Sequence, residues 1–183
     1  QTLKVVNIAS KQTRMVLPAD KNYSYADGDQ YYEWSPDSKW LLVQFAHAER
    51  LFSPELGPVS ANVGEVHNLT QSGYSNFIPK WAMEGKMMIW GSDLEGARNQ
   101  AGDPQQGDVY GMYFTKAFYD RQRLTKEEFA LLKEQEDKDK KEAEEKAKAS
   151  GPSPAASPKP DDKKIAIDWD GLTDRKTRLT VHT

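Results

Sequence analysis

The stretch YYEWSPDSKWLLVQF, Tyr31 to Phe45, sets a polar turn, Ser35 to Lys39, between an aromatic-rich approach and a run of large apolar residues. The layout occurs twice. IPKWAMEGKMMIWGS, Ile78 to Ser92, repeats it with Trp81 in the place of Trp34, 47 residues further on (81 − 34). Such a period restricts the fold strongly, because each unit is one supersecondary element that hides its apolar surface only against a neighbouring unit.

The coarse elements follow from apolar patterning and turn residues. Leu3 to Pro18 reads as two short strands around a polar turn at Ala9 to Gln12. Tyr23 to Asp29 is a turn-rich link ending in Asp27-Gly28-Asp29, and Gln30 to Trp34 with Trp40 to Ala46 forms a hairpin. In its turn Pro36 fixes φ and Asp37 bonds back to the backbone. Pro54, Gly57 and Pro58 interrupt the pattern after His47, so the third strand is expected only at Val59 to Asn62, with Glu65 to Thr70 as a short outer strand. The second copy runs through Phe77 to Trp81, a turn at Met83 to Lys86, Met87 to Ser92 and an alternating strand from Asp108 to Phe114.

Where a fourth strand of that copy is due, the chain changes character. An insertion over about 115–164 opens with Thr115 to Leu124, and Thr125 and Glu128 then have capping-box spacing at the start of a helix expected over about 125–149. From Lys133 to Ala149 the apolar stripe vanishes, and Glu134/Lys138, Glu136/Lys140, Glu142/Lys146 and Glu144/Lys148 stand at i,i+4, each pair adding roughly 0.2–0.5 kcal/mol to a solvated helix. Ser150-Gly151-Pro152 stops it, and a Pro-rich linker over 150–163 has no means of burying itself. Strand character is expected again at Ile165 to Ile167 and at Lys176 to Val181, around the DWDGLTD turn.

Four short antiparallel strands per unit, with a tryptophan approach and a tight turn, read as propeller blades. The expected fold is mainly β: a partial β-propeller of about two four-stranded blades plus part of another, with a charged helical and disordered insertion. Residues 1–21 end one blade, 22–70 make a second, and 71–183 make a third that the insertion interrupts. Asn68-Leu69-Thr70 and Arg178-Leu179-Thr180 each end an outer strand, with Thr13-Arg14-Met15-Val16 in the equivalent place at the beginning.

These motifs resemble a known family. WSPDSKW and LTQSGYSNFIPKWAMEGKMMIWGSD are similar to the Trp-Ser-Pro-Asp-Gly-Lys repeats of TolB-type, WD-like propellers. More closely, YSYADGDQYYEWSPDSKWLLVQF, YDRQRLTKEEFALLKEQE and IDWDGLTDRKTRLT resemble the propeller region of bacterial tricorn-like serine peptidases, over nearly the whole chain. Two departures are Ser38, where the turn glycine usually stands, and Ala82-Met83-Glu84 in place of Ser-Pro-Asp. The resemblance implies a segment that admits or orients peptide substrates or mediates assembly. Its partners would be further blades, with PDZ and peptidase domains of a longer chain. It also implies the periplasm or cell envelope; the cytoplasm is the alternative compartment.

Catalytic signatures are missing. There is no G-x-S-x-G, H-E-x-x-H, G-x-G-x-x-G or phosphate-binding loop, and His47, His67 and His182 are scattered. No catalytic, cofactor-binding or metal-binding residue is assigned, and no enzyme activity is expected of this chain by itself. Asp168, Asp170 and Gly171, like Asp27, Gly28 and Asp29, can be read as calcium loops, but Asp-Gly turns are the preferred reading. Asn22-Tyr23-Ser24 and Asn68-Leu69-Thr70 match the glycosylation pattern without further support.

The absence of cysteine excludes disulfides and thiol chemistry, and a net charge of −3 gives no footprint for nucleic acid. No apolar run approaches the ~20 residues of a membrane helix. The five tryptophans and eight tyrosines suit either a peptide-binding surface or blade packing, and for Trp34 and Trp81 packing is expected. A self-standing TolB-type interaction module without a protease is the alternative function, and self-association through exposed blade faces is expected of the isolated chain.

Overall fold

In a computed structural model, residues 2–22, 30–47, 50–62, 64–96, 107–149 and 164–181 are described. The chain divides into two units, one of Gln1–Thr115 with Lys163–Thr183 and one of Lys116–Asp162.

Among the described residues the first unit is mainly β and holds three antiparallel sheets, none closed into a barrel. β1 (Leu3–Val6) pairs with β2 (Thr13–Leu17). The second sheet has the order β3 (Tyr32–Trp34), β4 (Trp40–His47), β5 (Arg50–Ser60). The third runs β6 (Asn76–Ala82), β7 (Met87–Ser92), β8 (Asp108–Tyr113), β9 (Lys176–Arg178), so its last strand follows the whole insertion.

Two cores explain the apolar runs. Leu41, Val43 and Phe45 on one face of β4 pack with Val16 and Leu17 of β2 and with Val59 and Ala61. Leu42, on the other face, joins Leu56 and Leu69 against Met88, Trp90, Tyr110, Met112 and Phe114 of the third sheet. The middle sheet is covered on both faces, so β4 reads as apolar at successive positions rather than at alternate ones. Each fully buried Leu or Val there contributes about 1.5–3 kcal/mol.

The 47-residue repeat extends to backbone detail. Trp34 pairs with Leu41 as Trp81 pairs with Met88. Ser38, in the turn-glycine position, has φ 58°, and Gly85, 47 residues on (85 − 38), has φ 86°. The first turn is tied by Ser35 Oγ, which accepts the Trp40 N–H (2.9 Å) and donates to Asp37 Oδ1 (2.6 Å). The links between sheets also match. Ala46 N–H donates to Lys21 C=O (2.9 Å), and Asp93 N–H, again 47 residues on (93 − 46), donates to Ser75 C=O (3.2 Å).

A threonine closes each of the two larger sheets in the same way. Thr70 Oγ1 accepts the Leu56 N–H (3.0 Å) and donates to the buried Glu55 carboxylate. Thr180 Oγ1 accepts the Val109 N–H (2.8 Å) and donates to the buried Asp108 carboxylate (3.3 Å). A buried acid keeps its partners this way, and the third strand gets a substitute for a missing ladder bond.

Several expectations need correction. The third strand spans Arg50–Ser60 instead of Val59 to Asn62. Leu56 sends its N–H to Thr70 and its C=O to Leu69 N–H, and Pro58 C=O accepts from His67 N–H, all away from β4. Strand alternation puts the nitrogens of Pro54 and Pro58 on that same outer side, where a missing N–H costs no bond to β4. Glu65 to Thr70 makes a single bridge, Val66 with Val59, plus those two backbone bonds, and is no regular strand. Ile165 to Ile167 pairs with no strand either; Ile165 is instead buried against Gly85. Trp34 is 42% exposed, so its expected packing role belongs to Trp81 alone. Trp81 lies against the second core, with its ring 5.3 Å from Phe114 and its indole N–H donating to Glu33 C=O (3.3 Å).

The described residues of the second unit form two helices, α1 (Lys116–Gln122) and α2 (Lys126–Ala149). The capping box forms reciprocally: Thr125 N–H donates to Glu128 Oε2 (2.8 Å) and Glu128 N–H to Thr125 Oγ1 (3.2 Å). Those bonds from Thr125 hold the Glu128 carboxyl below its usual range. Arg121 of α1 pairs with Glu136 and lies over the Phe129 ring, 5.1 Å from its centre. Of the expected i,i+4 pairs, Glu134 and Lys138 stand at 3.8 Å. The linker over 150–163 lies outside the described residues.

Candidate functional site

Among the described residues, the histidines singled out in the sequence lie on separate segments. His47 ends β4 beside Phe45, and His67 lies on the outer segment of the second sheet. His182 and Asp27 to Asp29 fall outside the described residues. Among the described residues no group of three or more His, Asp or Glu is arranged to hold a metal. None of their helices is long and apolar enough to cross a membrane. Asn22 is buried, and Asn68 Oδ1 accepts the Thr70 and Gln71 N–H groups (both 3.2 Å), so both have structural roles.

The structure draws attention instead to the segment 164–175, which returns from the insertion. Asp37 Oδ2 accepts the Ile165 N–H (3.1 Å) across 128 residues of sequence. Burial opposes ionisation of Asp37, but bonds from Ser35, Ile165 and Lys39 outweigh it and lower its pKa. Asp168 N–H donates to Phe114 C=O (2.9 Å). The buried Arg175 guanidinium then gathers the carbonyls of Tyr113 (3.1 Å), Phe114 (3.4 Å), Asp168 and Asp170 (2.9 Å). The guanidinium thus ties the main chain of the DWDG turn to the end of the third sheet. Gly171, with φ 60°, supplies the left-handed residue that the turn requires.

This turn presents Trp169 to the second sheet. Its ring centre lies 4.2 Å from that of His67 with the planes 31° apart, and 6.0 Å from that of Trp40. Beside the pair opens a groove of about 330 Å³, lined by His67, Asn68, Leu69 and Gln71 on one wall and Trp169, Gly171, Leu172 and Thr173 on the other. Trp169 is 43% exposed. The groove therefore offers one aromatic face, one imidazole and several neutral hydrogen-bonding groups. It can hold a side chain or an extended backbone.

At the other end of the third sheet, Arg178 bridges Asp108 and Glu95, the latter at 2.6 Å, and Tyr110 Oη donates to Glu95 Oε1 (3.3 Å). Burial, and then the Glu95 carboxylate, pushes the Tyr110 pKa up to about 12. This is an anchoring network, since every charged group in it faces a partner.

Sequence reasoning named Trp169 and His67 only as parts of other patterns. Neither spacing nor composition signals that residues 102 positions apart (169 − 67) stack. In comparisons with known proteins, no family model matches the chain and no curated protein matches it significantly.

Proposed function

We propose that the chain is a non-catalytic β-propeller segment of a tricorn-like serine peptidase, contributing surface that receives or orients peptides. The observation that carries this reading is the recurrence of one hydrogen-bonded unit, Glu55, Leu56 and Thr70 in one sheet and Asp108, Val109 and Thr180 in the next. Blades of a propeller are such repeats, each covering the next. Further support comes from the Trp169/His67 groove, because aromatic rings dominate peptide recognition. DWDGLTD, part of one of the motifs that carry the family resemblance, also builds one wall of that groove.

The test combines an assay with the parent reading frame. The purified chain is expected to turn over no unstructured fluorogenic peptide, and the parent gene to encode PDZ and peptidase regions. Turnover that survives repurification and disappears on changing a single serine would overturn the non-catalytic reading. A parent gene with further repeats and no peptidase region would favour a self-standing TolB-type interaction propeller.

A further inference from the structure

We propose that the groove between segment 67–71 and the DWDG turn selects a short proline-containing peptide segment, a turn of polyproline II with a Lys or Arg beside it. This rests on the peptide-receiving reading above and adds which peptide chemistry the site prefers.

The main-chain acceptors along both walls are already engaged. On the DWDG side, Arg175 takes the carbonyls of Asp168 and Asp170, Leu172 N–H takes that of Trp169 (3.4 Å) and Asp174 N–H takes that of Gly171 (3.2 Å). On the facing side, Asn68 C=O accepts from the Gln71 side-chain amide (3.0 Å), and Asn68 Oδ1 accepts the Thr70 and Gln71 N–H groups (both 3.2 Å). Donors are left over. The Trp169 indole N–H and the Asn68 Nδ2 group bond to no other described residue, and an indole N–H can only donate.

A ligand carbonyl therefore meets donors here, whereas a ligand N–H loses water and gains no main-chain acceptor. Proline keeps the carbonyl and lacks the N–H. A β-strand peptide fits less well, because it brings an N–H with every residue, and sugar hydroxyls likewise bring a donor each.

The aromatic platform is set before any ligand arrives. The Trp169 ring is braced by His67 at 4.2 Å and by Trp40 at 6.0 Å, yet stays exposed, so little ordering remains to be done on binding. Aromatic-lined grooves of this kind hold polyproline II segments by packing against the rings. The volume of about 330 Å³ is at the small end for ligand sites and suits roughly one turn, about three residues. The described lining residues include no Asp, Glu, Lys or Arg, but Asp170 and Asp174 stand exposed beside Gly171 and Thr173 of the wall. That acidic rim favours a cation next to the prolines.

The test is anisotropy titration of the chain with a dye-labelled probe, Ala-Pro-Pro-Lys-Pro-Ala, against a control with every proline changed to alanine. The control is expected to bind about tenfold more weakly, and Trp169→Ala to weaken the proline probe by about tenfold or more. Replacing the probe's Lys by Glu should weaken binding several-fold. In the unaltered chain, the Trp169 indole N–H resonance should shift on titration, while that of Trp90, bonded to Asn76 Oδ1 (3.2 Å), stays in place. Equal affinity for the proline and alanine probes, an unmoved Trp169 indole, or an indole that answers to chitotriose and not to the peptide would overturn the proposal. Its failure with a peptidase region present in the parent gene sinks the groove assignment alone. Proline-selective binding with no such region in the parent gene sinks only the peptidase reading.

Discussion

The carbonyl oxygen of His67 lies 1.8 Å from where a Cβ on Gly57 would stand. The outer segment 66–70 crosses β5 at that point, bonded on either side through Pro58 C=O and Leu56 C=O. Only glycine permits the approach. Gly57→Ala is expected to destabilise the first unit by about 1–3 kcal/mol through overpacking and to widen the Trp169/His67 groove. A melting temperature equal to that of the parent chain would contradict this close packing.

Thr70→Val and Thr180→Val keep the side-chain shape and remove the hydroxyl. Each leaves a buried carboxylate and a backbone N–H short of a partner, at a cost of about 1–3 kcal/mol. Both carboxylates keep other partners, Glu55 the Ser72 and Gly73 N–H groups (3.1 and 2.9 Å) and Asp108 the Arg178 guanidinium, so the two losses are expected to be similar. Urea unfolding of the two variants measures them, and no loss in either would mean that its hydroxyl is not needed to close the sheet.

Tyr110 gives stability a dependence on alkaline pH. Its folded pKa of about 12 lies above its ordinary value of 10, so the unfolded chain loses the phenol proton first as pH rises. The contribution is fully present below pH 10 and is lost as pH rises through about 12. Stability should therefore fall over that window, and Tyr110→Phe should flatten the fall. A parallel decline in both proteins would place the titrating group elsewhere.

The two repeat tryptophans should respond differently. Trp81→Ala removes a ring packed on the second core and is expected to cost about 3 kcal/mol, near the lower limit for buried aromatics. Trp34→Ala, at a 42% exposed ring, should cost under about 1 kcal/mol. Chemical denaturation of both variants checks the contrast, and equal losses would mean that Trp34 is covered in solution.

What the sequence determined was local or periodic. Trp34 and Trp81, the turns at Ser38 and Gly85 and the Thr125/Glu128 capping box all act within a few residues, so each announces itself in a short window. The repeat aligned Thr70 with Thr180 before any contact was known. Tertiary structure decided the rest. β5 runs through Pro54 and Pro58 because their nitrogens face away from β4, which only the pairing register reveals. Ile165 becomes a buried plug instead of a strand because Asp37, 128 residues away, takes its N–H. The groove exists because Arg175 folds the DWDG turn and sets Trp169 against His67. Hydrogen bonds and ring contacts between distant segments depend on where the sheets bring the chain, and no local pattern of residue types encodes that meeting.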